Sequence, residues 1–315
     1  MKTVLNGLGK LYIIKFLKNA GDAGARPMSA QSKTLELSED LLKSCQLCPR
    51  KCRVDRLAGE LGFCGIGPEA VVASAGPHFG EEAVLVGRGG SGTIFLAGCN
   101  LKCVFCQNYD ISHSDAGVKT SPTELAELML SLQAHGCENI NFVTPTHVVV
   151  QIAKSIEIAR QRKLRVPIVY NCGGYESVPS LKPLVGLVDI YMPDFKFTDG
   201  QVAQRLCRAA DYPDICRAAI CEMHRQVGDL QIENGLATRG LLVRHLVLPN
   251  GLAGSKQVLD FLAEEVSPQT FVNVMGQYRP CYRAGEFSEI ARWPTREEIG
   301  RAKDYARQLG LRLAD

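Results

Sequence analysis

From residue 90 onward, short runs rich in β-branched residues alternate with stretches that have the spacing of amphipathic helices. The six predicted strands are residues 92–98, 139–144, 166–171, 188–195, 241–249 and 270–275. Strands that alternate with helices pair in parallel, because a parallel neighbour needs a long crossover connection. The pattern therefore predicts an α/β protein whose ligands bind at the carboxyl ends of the strands, whether the sheet is open or curls into a barrel.

Predicted helices lie between these strands, and one more follows the last strand. The helical stretches are 121–136, 149–159, 176–185, 199–228, 254–266 and 295–309. The first of them begins with a capping box, in which Ser121 is the N-cap, Pro122 takes the first helical position and Glu124 follows.

Cysteine is the residue type that most constrains the function. The 315 residues include 13 cysteines, and seven of these fall between Cys45 and Cys106. Such clusters in a long α/β chain predict metal ligands rather than a disulfide framework. The net charge of +3 gives no reason to expect nucleic acid binding, and no run approaches the roughly 20 apolar residues that span a bilayer. We expect a soluble cytoplasmic protein that binds neither nucleic acid nor a membrane.

The first 40 residues have the character of an extension. They are basic at the start, but Lys15 and Lys18 interrupt the apolar run, which argues against a secretory signal. A transit-like segment and a start at Met28 are the two remaining interpretations. Whether residues 1–27 belong to the mature chain stays open at this point.

The segment "CNLKCVFC" places Cys99, Cys103 and Cys106 directly after the first strand of the core. Structural zinc sites use four protein ligands, and disulfides use cysteines in pairs, so three is an unusual number. On a cubane of four irons, three thiolates leave one iron open to a small molecule. A zinc site and unligated buried thiols are the alternatives.

The C-x3-C-x2-C spacing, with Phe105 before the third cysteine, resembles the signature of radical S-adenosylmethionine (radical SAM) enzymes. Within that superfamily the chain resembles the proteins related to pyruvate formate-lyase activating enzyme, over roughly residues 90–280. The resemblance implies a partial (β/α)6 parallel barrel in which Cys99, Cys103 and Cys106 hold a [4Fe-4S] cluster. It also implies that S-adenosylmethionine binds the open iron and is cleaved reductively to methionine and a 5′-deoxyadenosyl radical. Phe105 would offer its ring to a bound base.

The loop after the second predicted strand departs from the family pattern. Relatives typically have a Gly-Gly-Glu-like stretch there, which holds the amino group of the methionine, whereas this chain has "TPTH". Thr144, Thr146 and His147 are substitutes by position only. A His147 that simply begins a helix is the alternative.

Further cofactor-binding residues are predicted at the other strand ends. Asp194 and Lys196 resemble an Asp-x-Lys element of the activating enzymes, with Lys196 available to the methionine carboxylate; a surface ion pair is the alternative. Arg244 resembles an arginine near the bound S-adenosylmethionine, against the alternative of a structural salt bridge. Asn171 ends the third strand beside two glycines, and His245 is expected to pack on the opposite face from Arg244.

A second group of cysteines, Cys45, Cys48, Cys52 and Cys64, has the spacing C-x2-C-x3-C-x11-C. Four neighbouring thiols suit a closed zinc site or a [4Fe-4S] cluster, and reduced thiols without metal remain an alternative. The many glycines and the few apolar residues suggest a small module held by its metal. Packing is predicted for the six scattered cysteines, with a substrate-side thiol as the alternative for Cys172; they are Cys137, Cys172, Cys207, Cys216, Cys221 and Cys281.

Four regions follow from these predictions: an extension (1–40), a cysteine-rich metal-binding module (41–75), a radical SAM core (85–285) and a carboxyl-terminal helical segment (286–315). The resemblance implies hydrogen abstraction from a protein substrate, such as a glycyl residue of a partner enzyme, with flavodoxin or ferredoxin as electron donor. One rival is a radical enzyme acting on a small molecule. The other is a non-catalytic interaction protein with zinc in both cysteine groups.

Overall fold

The computed structural model describes residues 39–314, so almost all of the predicted extension lies outside the described residues. The strands are β1 (Ala70–His78), β2 (Ser91–Leu96), β3 (Val118–Thr120), β4 (Asn139–Val143), β5 (Ile168–Cys172), β6 (Ile190–Pro193), β7 (Gln231–Glu233), β8 (Leu236–Leu246), β9 (Phe271–Met275) and β10 (Arg312–Leu313).

Helices connect these strands. They are α1 (Ala83–Val86), α2 (Tyr109–Ser112), α3 (Pro122–Ala134), α4 (Val149–Gln161), α5 (Val178–Leu181), α6 (Gly200–Cys207), α7 (Tyr212–Val227), α8 (Ser255–Phe261) and α9 (Arg296–Gln308). A short π-helical turn, Leu262–Val266, continues α8. Within residues 39–314 no helix has the length and apolar character needed to cross a membrane.

The sheet confirms the predicted α/β class. Its order is β10-β9-β8-β6-β5-β4-β2-β1-β3, and the six predicted strands form its parallel centre as β2, β4, β5, β6, β8 and β9. Each parallel strand pairs with the next one along the chain, without the order reversal of a doubly wound sheet. Such a single winding with right-handed crossovers is consistent with a partial barrel.

The structure adds to this pattern and corrects it in two places. Strands β1 and β3 pair antiparallel beyond β2, whereas β10 pairs parallel with β9 at the other edge. The stretch 176–185, predicted as a helix, holds only the short α5 and a 3-10 turn, Lys182–Leu184. The stretch 199–228, predicted as one helix, is two helices, α6 and α7. Arg208 breaks it by adopting a left-handed conformation (φ 55°), and Pro213 then starts the second helix.

The segment between β1 and β2 enters the barrel from the amino ends of its strands. Leu85 is fully buried against interior apolar residues of β5, β6, β8 and β9, and Asn139 donates to its carbonyl at 2.7 Å. Two carboxylates of the same segment reach further inward. Glu81 Oε2 lies 3.6 Å from Arg244 Nη1, and Glu82 Oε1 accepts a hydrogen bond from Asn273 Nδ2 at 2.9 Å. We call this segment, residues 79–90, the barrel plug.

The cysteine-rich segment packs directly against the barrel. Leu42, Leu47 and Ile66 are buried in the same hydrophobic core as the strands. The few apolar side chains of this segment therefore have a core to join, so its packing does not depend on bound metal alone.

Candidate functional site

Cys99, Cys103 and Cys106 lie in the loop that leaves β2 at the carboxyl edge of the sheet. Gly98 turns the chain into this loop with φ +77°, and Lys102 also adopts a left-handed conformation. The first and third thiols, Cys99 and Cys106, each have a polar neighbour. The Leu101 amide nitrogen is 3.3 Å from the Cys99 sulfur. Ser112 Oγ is 3.2 Å from the Cys106 sulfur. The loop thus gathers its thiols where a parallel sheet binds ligands.

Burial decides the charge state of these thiols. Desolvation raises the pKa of Cys99 to about 12 and that of Cys106 to about 11. The pKa of Cys103 is raised well above its ordinary value by a hydrogen bond with Cys207 and by burial. Without a cation the three side chains are neutral thiols, and a bound metal is what favours their thiolate form.

The donor set fits a [4Fe-4S] cluster. Cys99, Cys103 and Cys106 are soft ligands on one loop, and three of them would leave the fourth iron without a protein ligand. A tetrahedral structural zinc site would need a fourth protein ligand.

Phe105 is packed among other aromatic residues. Its ring makes edge contacts with Phe197 at 5.9 Å and with Tyr278 at 6.0 Å between centroids, and the residue is 5% exposed. These contacts favour a packing role that holds the loop between Cys103 and Cys106. The predicted contact with a bound base stays a prediction.

A buried ionic network occupies the carboxyl edge beside the three thiols. Asp194 accepts from Arg244 Nε at 2.8 Å and from the Lys196 ammonium. Side-chain exposure is only 15% for Asp194 and 16% for Lys196, so the alternative of a surface ion pair does not hold. Burial alone would raise the pKa of Asp194, but the charges of Arg244 and Lys196 outweigh it and lower that pKa. The carboxylate is therefore ionised and holds both cations in place.

This network joins residues that are remote in the sequence. Arg244 also donates to Asn171 Oδ1 at 2.7 Å and approaches Glu81 of the barrel plug. Lys196 is close enough to Cys103 for its charge to lower the pKa of that thiol. Four predicted residues, Asn171, Asp194, Lys196 and Arg244, thus form one site next to the cysteine loop, with an amide and two cations suited to bind a carboxylate or hydroxyl groups.

Thr144 is held at the end of β4 in a left-handed conformation, φ 62°, and its amide donates to the Asn171 carbonyl at 2.9 Å. His147 is buried in the following turn and bonds the Ala97 carbonyl at 2.8 Å through Nε2. Burial lowers the pKa of His147 to about 4. His147 is therefore a neutral side chain that ties the turn to β2, which favours the structural alternative.

Glu176 is a buried carboxylate that the sequence analysis did not single out. It accepts hydrogen bonds from Thr146 at 2.5 Å and from the Tyr170 hydroxyl at 3.1 Å. Burial raises the pKa of Glu176 to about 7, although these hydrogen bonds oppose the rise. The "TPTH" turn thus contacts a carboxyl group that comes from the loop after β5.

Substituting Glu176 with glutamine tests this burial. A carboxyl whose pKa is raised on folding stabilises the native state below its ordinary value of 4.5, and that contribution is lost as the pH rises to about 7. The stability of E176Q relative to the wild type should therefore increase by roughly 2–4 kcal/mol across this interval. Urea unfolding at several pH values measures it. Glu297→Gln, at an exposed position, is the control. If the difference in unfolding free energy between E176Q and the wild type changed with pH as little as it does for the control, the raised pKa of Glu176 would be contradicted.

The packing predictions hold for most positions but not for all of them. Cys137 is buried and Cys281 is half-buried, whereas Cys221 is exposed on the outer side of α7, so the packing prediction for Cys221 is wrong. His245 is fully buried, and its ring nitrogens bond the Phe195 carbonyl and Ser255 Oγ, each at 2.8 Å. Cys172 and Cys216 are likewise buried. Cys207, however, forms a thiol–thiol hydrogen bond with Cys103. Its place beside the cysteine loop had no sequence signal, because α6 reaches that loop only through the tertiary fold.

The second group of cysteines surrounds a single small cavity. The cavity lining includes Cys45, Cys48, Cys52 and Cys64, together with Arg56 and His147. The two cysteine groups touch: a Cβ added to Gly98 would lie 2.9 Å from the Cys64 carbonyl oxygen and 2.4 Å from Ile66 Cγ1. Gly98 therefore allows the cysteine-rich segment to lie against the start of the three-cysteine loop.

Comparison with known proteins agrees with this geometry. A family model of the radical SAM superfamily matches residues 93–220. The uncharacterized protein MJ0674 of Methanocaldococcus jannaschii is 34% identical over 289 residues, which cover 89% of this chain and 79% of the relative. A second uncharacterized protein of that organism, MJ0808, is 22% identical over 88% of this chain and 81% of its own length. Together with a three-cysteine loop at the carboxyl edge of a parallel sheet, the match to the family model identifies a radical SAM superfamily domain in residues 93–220.

Proposed function

We propose that this protein cleaves S-adenosylmethionine reductively and directs the resulting radical at a hydrogen atom of a protein partner, as a pyruvate formate-lyase activating enzyme does for a glycyl residue. The radical SAM domain supports an enzyme over a zinc-binding interaction protein. Cys99, Cys103 and Cys106 would hold a [4Fe-4S] cluster, which would supply the electron and an open iron. Flavodoxin or ferredoxin is the proposed electron donor.

The chain's own residues would orient and shield the cofactor. Lys196 and Arg244 offer positive charge to the methionine carboxylate, while Asp194 keeps both cations fixed. Asn171, bonded to Arg244, presents its amide at the same edge. Burial of this network excludes water, which strengthens its electrostatic interactions and protects a reactive radical.

The filled barrel interior is the observation that favours a protein substrate. Leu85 of the barrel plug closes the amino end, and Glu81 and Glu82 reach up to the layer of Arg244 and Asn273. This filling favours a substrate presented from outside, at the carboxyl edge. A loop of a protein partner meets that requirement.

The rim of this edge has residues suited to contact a partner. Tyr109 and Tyr282 are each 45% exposed and stack on one another with centroids 5.0 Å apart. The neighbouring Arg283 amide donates to the Val104 carbonyl at 2.9 Å, which ties the pair to the cysteine loop. Exposed tyrosines are enriched in protein interfaces, and Tyr109 follows Cys106 by three residues.

A small-molecule substrate is the second candidate, and one observation favours it. Both amide atoms of Asn141 are buried without a hydrogen-bond partner, and so is Glu82 Oε2. Asn141 pairs with Thr93 in register on the interior face of the sheet. Buried polar atoms are costly when left unbonded, so a polar group of a small substrate would stabilise them.

Isotope transfer distinguishes the two candidates. A glycyl-radical-type enzyme from the same cell is produced with [2,2-²H₂]glycine and incubated with the reduced, iron-loaded protein and S-adenosylmethionine. We expect one deuterium in 5′-deoxyadenosine by mass spectrometry, and none with the Cys103→Ala variant. A second incubation replaces the partner with the low-molecular-weight fraction of cells grown in D₂O. Deuterium in 5′-deoxyadenosine from that fraction, and none from the partner, would favour the small-molecule function.

A further inference from the structure

The cavity lined by Cys45, Cys48, Cys52 and Cys64 has the features of an anionic metal–thiolate centre. Each sulfur accepts a hydrogen bond from a nitrogen of the same segment. The Phe63 amide is 3.4 Å from Cys52 Sγ, and the Arg56 guanidinium is 3.9 Å from Cys45 Sγ. The backbone amides of Arg50 and Ile66 bond Cys48 and Cys64. Hydrogen bonds of this kind to sulfur stabilise thiolate ligands and tune clusters.

Arg56 gives an independent indication of negative charge in the cavity. It is 1% exposed, yet within residues 39–314 its hydrogen bonds go to the carbonyls of Gly67 and His147 and to the Cys45 sulfur rather than to a carboxylate. A buried guanidinium without a counter-charge is costly. Thiolates bound to a metal in this cavity would supply that charge.

The position of the four thiols favours an iron–sulfur cluster over zinc. They line one cavity in contact with the three-cysteine loop, where a redox-active centre could pass electrons onward, whereas zinc has no redox chemistry. Gly62 lets the chain pass close to Cys52, because a Cβ there would lie 2.9 Å from Cys52 Sγ.

We propose that Cys45, Cys48, Cys52 and Cys64 bind a second [4Fe-4S] cluster, fully ligated by protein, next to the radical SAM cluster. The two loops interlock around Gly98, which faces the Cys64 carbonyl. Arg50, which borders the cavity, donates to the Asn100 carbonyl at 2.8 Å, one residue after Cys99. Lys102 lies over the Phe63 ring at 5.6 Å. Clusters so placed are close enough for their electron spins to interact.

Metal content tests the second cluster without any assay of activity. The full chain carrying Cys99→Ala, Cys103→Ala and Cys106→Ala is purified anaerobically, reconstituted with iron and sulfide, and analysed for iron, sulfide and zinc. We expect about four irons and about four sulfides per chain to remain. One zinc per chain, or a folded protein without metal, would overturn the proposal.

A second variant covers the case in which the triple variant does not fold. Cys48→Ala with Cys52→Ala should lower the iron content of the otherwise unchanged chain by about four per chain, with the Mössbauer spectrum of a cubane lost in proportion. Cys137→Ala, a buried cysteine outside both groups, is the matched control and should keep the wild-type iron content. Equal iron in the double variant and the control would refute the site.

Electron paramagnetic resonance tests the proximity of the two clusters, and this part alone depends on the radical SAM cluster. In the fully reduced wild type we expect signals broadened by spin coupling. The Cys48→Ala, Cys52→Ala variant and the triple variant should each give a sharp, uncoupled signal. Sharp signals in a wild type that carries both clusters would show that the clusters are isolated and would overturn the proposed adjacency.

Discussion

Replacing Cys103 with alanine should lower the yield of 5′-deoxyadenosine by more than about 100-fold, because substitutions of residues that merely support a metal ligand already cost 10–100-fold. Cys103 lies near the ionic network, since the charges of Lys196 and Asp194 both act on its thiol. Its loss would remove one of the three proposed ligands of the cluster. The measurement is product formed from S-adenosylmethionine under a low-potential reductant.

The control for this experiment is Cys137→Ala, which replaces a buried cysteine in the turn before β4, on the far side from the carboxyl edge. It should keep the wild-type yield, whereas the Cys103 variant should also lose about four irons per chain. Wild-type yield from the Cys103 variant would show that this loop does not carry the reaction.

Replacing Asp194 with asparagine should lower the free energy of unfolding by about 3–5 kcal/mol, the usual cost of removing one partner from a buried ionic group. The substitution leaves the cations of Lys196 and Arg244 together in a largely buried site without the carboxylate that pairs with both. Because folding lowers the pKa of Asp194, the stabilisation is present above the ordinary value of 3.8 and is lost as the pH falls through the native value. Urea unfolding at neutral pH and near pH 3 measures both effects.

Asp304→Asn is the matched control, since Asp304 pairs with Arg307 on an exposed helical surface. Surface ion pairs contribute little, so this variant should unfold almost as the wild type does. A similarly small effect at Asp194 would mean that water enters the network and that the site is not insulated.

Local sequence patterns were sufficient to predict the centre of the fold. The six parallel strands follow from their β-branched composition, and α3 begins as its capping box indicates, with Ser121 and Glu124 bonded reciprocally. The antiparallel β1 and the two-residue β10 lack such a signal. Strand β1 contains Gly76 and Pro77, which are typical of turns, and its pairing with β2 is settled by contacts outside the strand itself.

The residues of the candidate site were likewise predictable only in part. Asp194 and Lys196 are two positions apart on one strand end, so alternation alone brings them together. Glu81 and Glu82 reach Arg244 and Asn273 from more than 160 residues away, and no local pattern records such a contact. Glu176 was also missed, because a carboxylate in a glycine-rich loop resembles ordinary surface sequence until the fold buries it.

The barrel plug lies upstream of the residues that match the superfamily model, yet the insulation of the site depends on it. The superfamily match begins at residue 93, but Leu85 and the two carboxylates that close the barrel come before it. A fragment cut at the first matched residue would retain Cys99 and Arg244, yet solvent would reach the ionic layer through the open amino end. Water there weakens every charge interaction on which the cofactor site depends. The shortest part of this chain that keeps the site insulated from water therefore begins upstream of the residues that match the superfamily model.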